Sequence, residues 1–220
     1  MRSKTYAVRV RGELACFSRP ELRVERVSSP FITPSAARGL LESILFKPAI
    51  AWRIERIALL AAPRWIQFRR NEVNSKILVR SVQRFQKAGH GKDYFASEDR
   101  AQRNTLALRD VDYALYASME ATPRWGGEDS IRKFEEMFER RVDKGQWVTP
   151  PVLGCREFPC RVEWYRGEPT PAPIDEDFGW ILHDIHYGRT HAPVFFKAVC
   201  EQGIIDVPPW VEPPDKGAGG

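Results

Sequence analysis

The chain has 220 residues, 43% of them hydrophobic and 11% aromatic, enough for one large domain or two small ones with a real core, which excludes global disorder. No run approaches the ~20 uncharged apolar residues that span a bilayer, no apolar stretch follows the charged start to make a secretory signal, and four scattered cysteines point to a reducing cytoplasm. The formal charge of +5 hides a split, with 22 basic and 10 acidic residues in 1–110 against 12 and 19 in 111–220, an asymmetry that points to a polyanion partner for the first half.

From Tyr6 to Gly12 the residues alternate. Tyr6, Val8 and Val10 share one face and Arg9 and Arg11 the other, which predicts a half-buried strand with a cationic open face. Pro34-Ser35 opens a helix on which Ala37, Leu40, Leu41, Ile44 and Leu45 form one apolar stripe, and Pro48 stops it. Ala51 to Leu60 reads as a second, mostly buried strand. From Ala61 to about Thr105 the periodicity dissolves, and Arg and Lys outnumber Asp and Glu more than two to one. A long basic insertion of this kind is functional or disordered. Leu106 to Met119 reads as a further strand. Asp129 or Ser130 caps a second amphipathic helix through Ile131, Phe134, Met137, Phe138 and Val142, closed by Lys144-Gly145. Residues 147–165 read as a strand pair interrupted by Pro150-Pro151. A Pro-rich acidic loop follows. Phe178–Tyr187, Val194–Cys200 and Ile204–Val207 are three short strands, and 208–220 is a flexible tail. The order over 1–165 is βαββαβ, that of a ferredoxin-like α+β fold, and 166–207 adds a small antiparallel β domain.

The segment Arg64-Trp65-Ile66-Gln67-Phe68-Arg69-Arg70-Asn71 interleaves guanidinium groups with large aromatics. Phosphates need cations and unstacked bases need flat surfaces, so the mixture suits single-stranded nucleic acid. The candidate RNA-binding set is Arg9, Arg11, Arg64, Phe68, Arg69, Arg70, Asn71, Arg80, Arg103 and Arg109. The competing reading is a solvated loop with incidental arginines. No metal site is expected: Cys155 and Cys160 lack zinc-ribbon spacing, and His183 and His186 fall on opposite faces of a strand. No phosphate-binding glycine loop or nucleophile elbow is present, so no cofactor is expected. His90, alone in a Gly-flanked loop, has no positioned partner.

Seven strings in order carry a resemblance. They begin at Tyr6-Ala7-Val8-Arg9-Val10-Arg11-Gly12, Leu41-Glu42-Ser43-Ile44-Leu45-Phe46-Lys47-Pro48, Phe68-Arg69-Arg70-Asn71-Glu72-Val73 and Leu108-Arg109-Asp110-Val111-Asp112-Tyr113. They continue with Leu153-Gly154-Cys155-Arg156-Glu157-Phe158, Gly179-Trp180-Ile181-Leu182-His183-Asp184 and Gly203-Ile204-Ile205-Asp206-Val207-Pro208. Together they resemble the CRISPR-associated "Cas five" family, d subtype, of type I-C interference systems.

The resemblance implies an N-terminal ferredoxin-like (RRM-type) domain and a small C-terminal β domain. It implies a metal-independent endoribonuclease that cuts the repeat hairpin of precursor CRISPR RNA and then holds the 5′ handle of the mature guide. The implied partners are that RNA, the backbone and large subunits of the interference complex, and DNA at a further contact, with no membrane. The family's catalytic group is a tyrosine after the first helix and a lysine–histidine pair on the second. Those positions read Leu45 and Lys133-Phe134 here, so only the lysine carries over. Lys133 is the catalytic candidate, as a proton-transfer group or a phosphate clamp, against the plainer reading of a solvated helix lysine. Loss of the tyrosine and histidine favours an alternative, a non-catalytic RNA-binding scaffold of the same complex. With the resemblance set aside, a general RNA-binding protein would show no preference for a repeat hairpin.

Overall fold

The structure, a computed structural model, describes residues 1–22, 25–89, 95–186 and 192–211. In chain order the elements are β1 (Tyr6–Ala15), β2 (Arg26–Val27), α1 (Pro34–Ile44), β3 (Ile50–Leu59), β4 (Trp65–Val73) and α2 (Val79–Ala88). They continue with β5 (Arg100–Ala121), α3 (Ile131–Asp143), β6 (Arg161–Trp164), β7 (Glu176–His186), β8 (Ala192–Glu201) and β9 (Ile204–Asp206). This is a mixed α/β protein on one large, mostly antiparallel sheet in the order β6-β1-β5-β3-β9-β8-β7, with β2 and β4 on the first part of β5. Among the described residues no helix is long and apolar enough to cross a membrane.

Local chemistry explains the two helices that cover the sheet. Thr33 caps α1 by accepting from the Ala36 N–H, and Pro34 fills the first turn, where no donor is needed. Leu45 leaves the helix in an extended conformation. Ser130 caps α3 by accepting from the Lys133 N–H, and Arg140 and Arg141 face the negative end of its dipole. Gly145, at φ +60°, closes α3: its N–H bonds the Val142 carbonyl and the Gln146 N–H bonds the Arg141 carbonyl. Both helices pack on the sheet face that carries Tyr6, Val8, Val10 and Trp52. There Trp52 Nε1 donates to the Leu45 carbonyl at 3.0 Å, and the Trp52 and Phe138 ring centres lie 4.6 Å apart. Burial of one such ring contributes roughly 1.5–3 kcal/mol.

The described residues of 61–105 form regular elements where aperiodicity was expected. β4 and the first part of β5 form a hairpin arm, in register from Trp65↔Leu108 to Val73↔Arg100, with α2 at its tip. Both faces of the arm carry polar side chains, so hydrophobic alternation gives no sign of it. β5 is one strand of 22 residues. Its first part pairs with β4, and its second lies between β1 and β3. Asp110 takes a left-handed φ of 50° where the two parts meet. Over 147–165 only β6 forms, beside an isolated Val152↔Pro159 bridge, because three prolines remove ladder donors. The three C-terminal strands form as expected and extend the same sheet, β9 lying beside β3 with Ile57 opposite Ile205. His90 and residues 212–220 lie outside the described residues.

Candidate active site and nucleic-acid interface

Leu45 begins the link from α1 to β3, and Lys133 and Phe134 lie in the first turn of α3. Thr122, just after β5, ties the link in place. Its N–H donates to the Ala49 carbonyl at 2.9 Å and its hydroxyl to the Pro48 carbonyl at 2.6 Å. Trp125 donates its N–H to the Thr122 carbonyl, and its ring meets that of Phe134 edge-on at 5.8 Å. The link after α1 and the head of α3 are therefore neighbours. The side chains at the tyrosine and histidine positions belong to the core, Leu45 fully buried and Phe134 only 2% exposed.

Lys133 stands outside that core. Its Nζ donates to the Glu128 carbonyl at 3.3 Å and lies 6.0 Å from the Phe134 ring centre, with no carboxylate paired to it among the described residues. Such an ammonium is available to a phosphate or to charge developing on one. Sequence reasoning missed Phe46, which is 57% exposed beside Lys47 and offers a flat surface at the same junction. Its one signal is an aromatic just past the end of the buried stripe.

The strand arginines expected on an open cationic face are neutralised. Arg9 grips Asp112 through two bonds of 3.0 and 2.6 Å, and Arg9 and Arg11 both approach Glu163. Arg64 and Arg109 share Asp110 at 3.0 Å each. The arm divides the remaining candidates between its faces. Phe68 and Arg70 turn inward: Phe68 meets Phe158, and Arg70 is held by Glu72 and Glu157. Arg103 lies opposite Arg70 and, among the described residues, reaches only Asn74. Arg69 and Asn71 turn outward, paired across the hairpin with Asn104 and Gln102. Gln67 and Trp65 continue that face. Arg80 projects from the exposed helix α2 with Arg84 and Lys87. Arg69, Arg80, Arg84, Lys87 and Arg100 have no carboxylate partner among the described residues. Gln102 and Asn104 were missed because their part of the chain was read as irregular.

The Cas5d family, described as "CRISPR-associated protein (Cas_Cas5)", matches residues 5–208. The chain belongs to the Cas5d family. It is 41% identical over 208 residues to "CRISPR pre-crRNA endoribonuclease Cas5d" of Mannheimia succiniciproducens, a match covering 90% of this chain and 92% of that protein. It is 37% identical over 220 residues to the protein of the same name from Thermus thermophilus, covering 91% and 90%. The solved structure titled "Crystal Structure of CRISPR-associated Protein" shares the fold with a TM-score of 0.70 and 21% identity, over 94% of this chain and 93% of that one.

In this Cas5d chain the two oppositely charged halves interlock. Arginines of the first half find carboxylates of the second: Arg9 with Asp112, Arg26 and Arg70 with Glu157, Arg38 with Asp184, Arg53 with Glu120, and Arg56 with Asp206. The reading of the whole N-terminal half as one cationic surface is thereby narrowed. Among the described residues, the cations without a carboxylate partner include those of the arm and Lys133, and also Arg19, Lys47, Arg124, Arg156, Arg161 and Arg166 elsewhere.

Proposed function

We propose that the chain is a precursor CRISPR RNA endoribonuclease that stays bound to its product. It cuts the repeat hairpin of the precursor and holds the 5′ handle of the guide in the interference complex, beside the backbone and large subunits. The observation that carries this reading is the match along nearly the whole chain to two relatives named for that activity. The finer fold reading, a ferredoxin-like (RRM-type) core, is supported by the antiparallel order β6-β1-β5-β3. With β2, β4 and α2 set aside, this places the fourth, first, third and second strands of a βαββαβ unit side by side.

The chemistry is attack by a ribose 2′-OH on the adjacent phosphodiester. The 2′-O–P bond forms, the P–O5′ bond breaks, and the products are a cyclic 2′,3′-phosphate and a 5′-OH. A base removes the 2′ proton, an acid supplies one to the leaving oxygen, and cations stabilise the phosphorane. Lys133, at the head of α3, takes the cation's place, and Phe46, exposed on the link after α1, stacks a base. The outward face of the arm, with Arg69, Asn71 and Asn104, holds the strand.

The test uses the purified protein, EDTA, a labelled repeat RNA and a copy with 2′-deoxyribose at the cut position. Cutting of the all-ribose RNA alone is expected. The burial of Leu45 and Phe134 favours a second reading, a non-cutting scaffold, and binding without cutting of either RNA would establish it in place of the first. Equal binding to any single strand would remove both.

A further inference from the structure

One cluster among the described residues serves neither the junction nor the arm's outward face: two thiols beside two guanidinium groups. Cys16 directly follows β1 and is fully buried, while Cys155 lies in the 152–159 turn and is partly exposed. Both are free thiols. Backbone contacts press the two segments together. The Cys16 N–H donates to the Leu153 carbonyl at 3.1 Å, and the Cys155 thiol reaches the Cys16 carbonyl at 3.7 Å. Gly154 sits between them at φ +83°, where an added Cβ would stand 2.1 Å from the Cys16 carbonyl oxygen. The approach is closer than any side chain there would allow.

The two thiols also influence each other's ionisation. Arg26 Nη1 lies 3.6 Å from the Cys155 sulfur, and Arg70 adds its charge to the same site. The neighbouring Cys155 side chain holds Cys16 down at about 7, desolvation opposing and Ser18, Arg26 and Arg70 assisting, while Cys155 itself is pushed up. The ionisation belongs to the pair rather than to either thiol. The other two cysteines differ. Burial pushes Cys160 up to about 12, and the Cys200 thiol donates to the Ile174 carbonyl at 3.5 Å.

We propose that Cys16 and Cys155 are an oxidant-reactive pair that closes into a disulfide when it meets hydrogen peroxide. Peroxide approaches from the partly exposed Cys155 side. A thiolate of the pair attacks one peroxide oxygen, the O–O bond breaks, and the departing hydroxide takes up a proton to leave as water. The sulfur is then a sulfenic acid. The second sulfur attacks it, the S–S bond forms, the S–O bond breaks, and a second water leaves. Two thiols and one hydrogen peroxide become one disulfide and two waters, with two electrons passing from sulfur to peroxide. Arg26 stabilises the attacking charge. The bridge joins residues 139 apart in sequence. It fixes the turn bearing Glu157, which holds Arg26 and, on the inward face of the arm, Arg70.

The test treats the full-length protein with hydrogen peroxide at neutral pH and maps its peptides without reduction. A Cys16–Cys155 cross-linked peptide is expected, with loss of two hydrogens in intact mass and reversal by dithiothreitol. Cys155→Ser should abolish the cross-link and Cys160→Ser should leave it. Sulfinic acid at Cys155 with no cross-link, or a bridge to Cys160 or Cys200, would overturn the proposal. The map of the unsubstituted protein decides the matter even where a variant fails to fold.

Discussion

At the scale of single residues, the junction of α1 and α3 separates packing from chemistry within a few side chains. Leu45 and Phe134 are buried where the family resemblance expects polar catalytic groups, while Lys133 is exposed. Substitutions there should divide accordingly. Phe134→Ala removes a core ring and should cost about 3–5 kcal/mol. Leu45→Tyr adds volume to a filled site and should cost about 1–3 kcal/mol. Both are read as a lowered midpoint in thermal denaturation. Lys133→Ala empties no cavity and breaks a bond to the Glu128 carbonyl and a long contact with the Phe134 ring. Its midpoint should stay with the parent, while single-turnover cleavage of the repeat RNA slows by about one to several orders of magnitude, the range for a proton-transfer or charge-stabilising group. Unchanged cleavage would remove Lys133 from the site.

At the scale of elements, the arm makes neighbouring arginines unequal. Arg69 faces outward without a carboxylate, and Arg70 faces inward between Glu72 and Glu157. Arg69→Ala should weaken RNA binding and lower the slope of log affinity against log salt by about one. Arg70→Ala should leave that slope near the parent value and instead lower stability, by about 1 kcal/mol for an ion pair at the protein surface. Salt titrations of RNA binding and thermal melts, run on both variants, separate the two roles. An equal fall in slope for both would mean that Arg70 leaves its carboxylates for phosphate.

The same arm marks the limit of what a single sequence discloses. The two sheet-covering helices were legible because their apolar stripes, the cap at Ser130 and the stop at Pro48 act locally. β4 was not, since Gln67, Arg69 and Asn71 alternate with Phe68, Arg70 and Glu72 in a pattern with little hydrophobic contrast. Nor was the pairing of Arg9 with Asp112, because register between distant strands decides it. At the junction the sequence pointed to Lys133, but not to Thr122 and Trp125, which bring α1 and α3 together.

At the scale of the whole molecule, the excess positive charge of the first half is largely spent on the acidic second half. Asp184 holds Arg38 from β7, Asp206 holds Arg56 from β9, and Ile205 completes the core against β3. A chain cut after residue 165 would lose these carboxylates and strip β3 of its β9 partner. Arg38 would keep only Glu42, and β3 would present an unpaired edge with apolar residues beneath it. An open edge of that kind recruits other strands. The 1–165 fragment should therefore self-associate in size-exclusion chromatography and melt without the cooperative transition of the full chain. A monomeric fragment with a sharp transition would mean that the first 165 residues fold as an independent domain and that the shared sheet adds little to their stability.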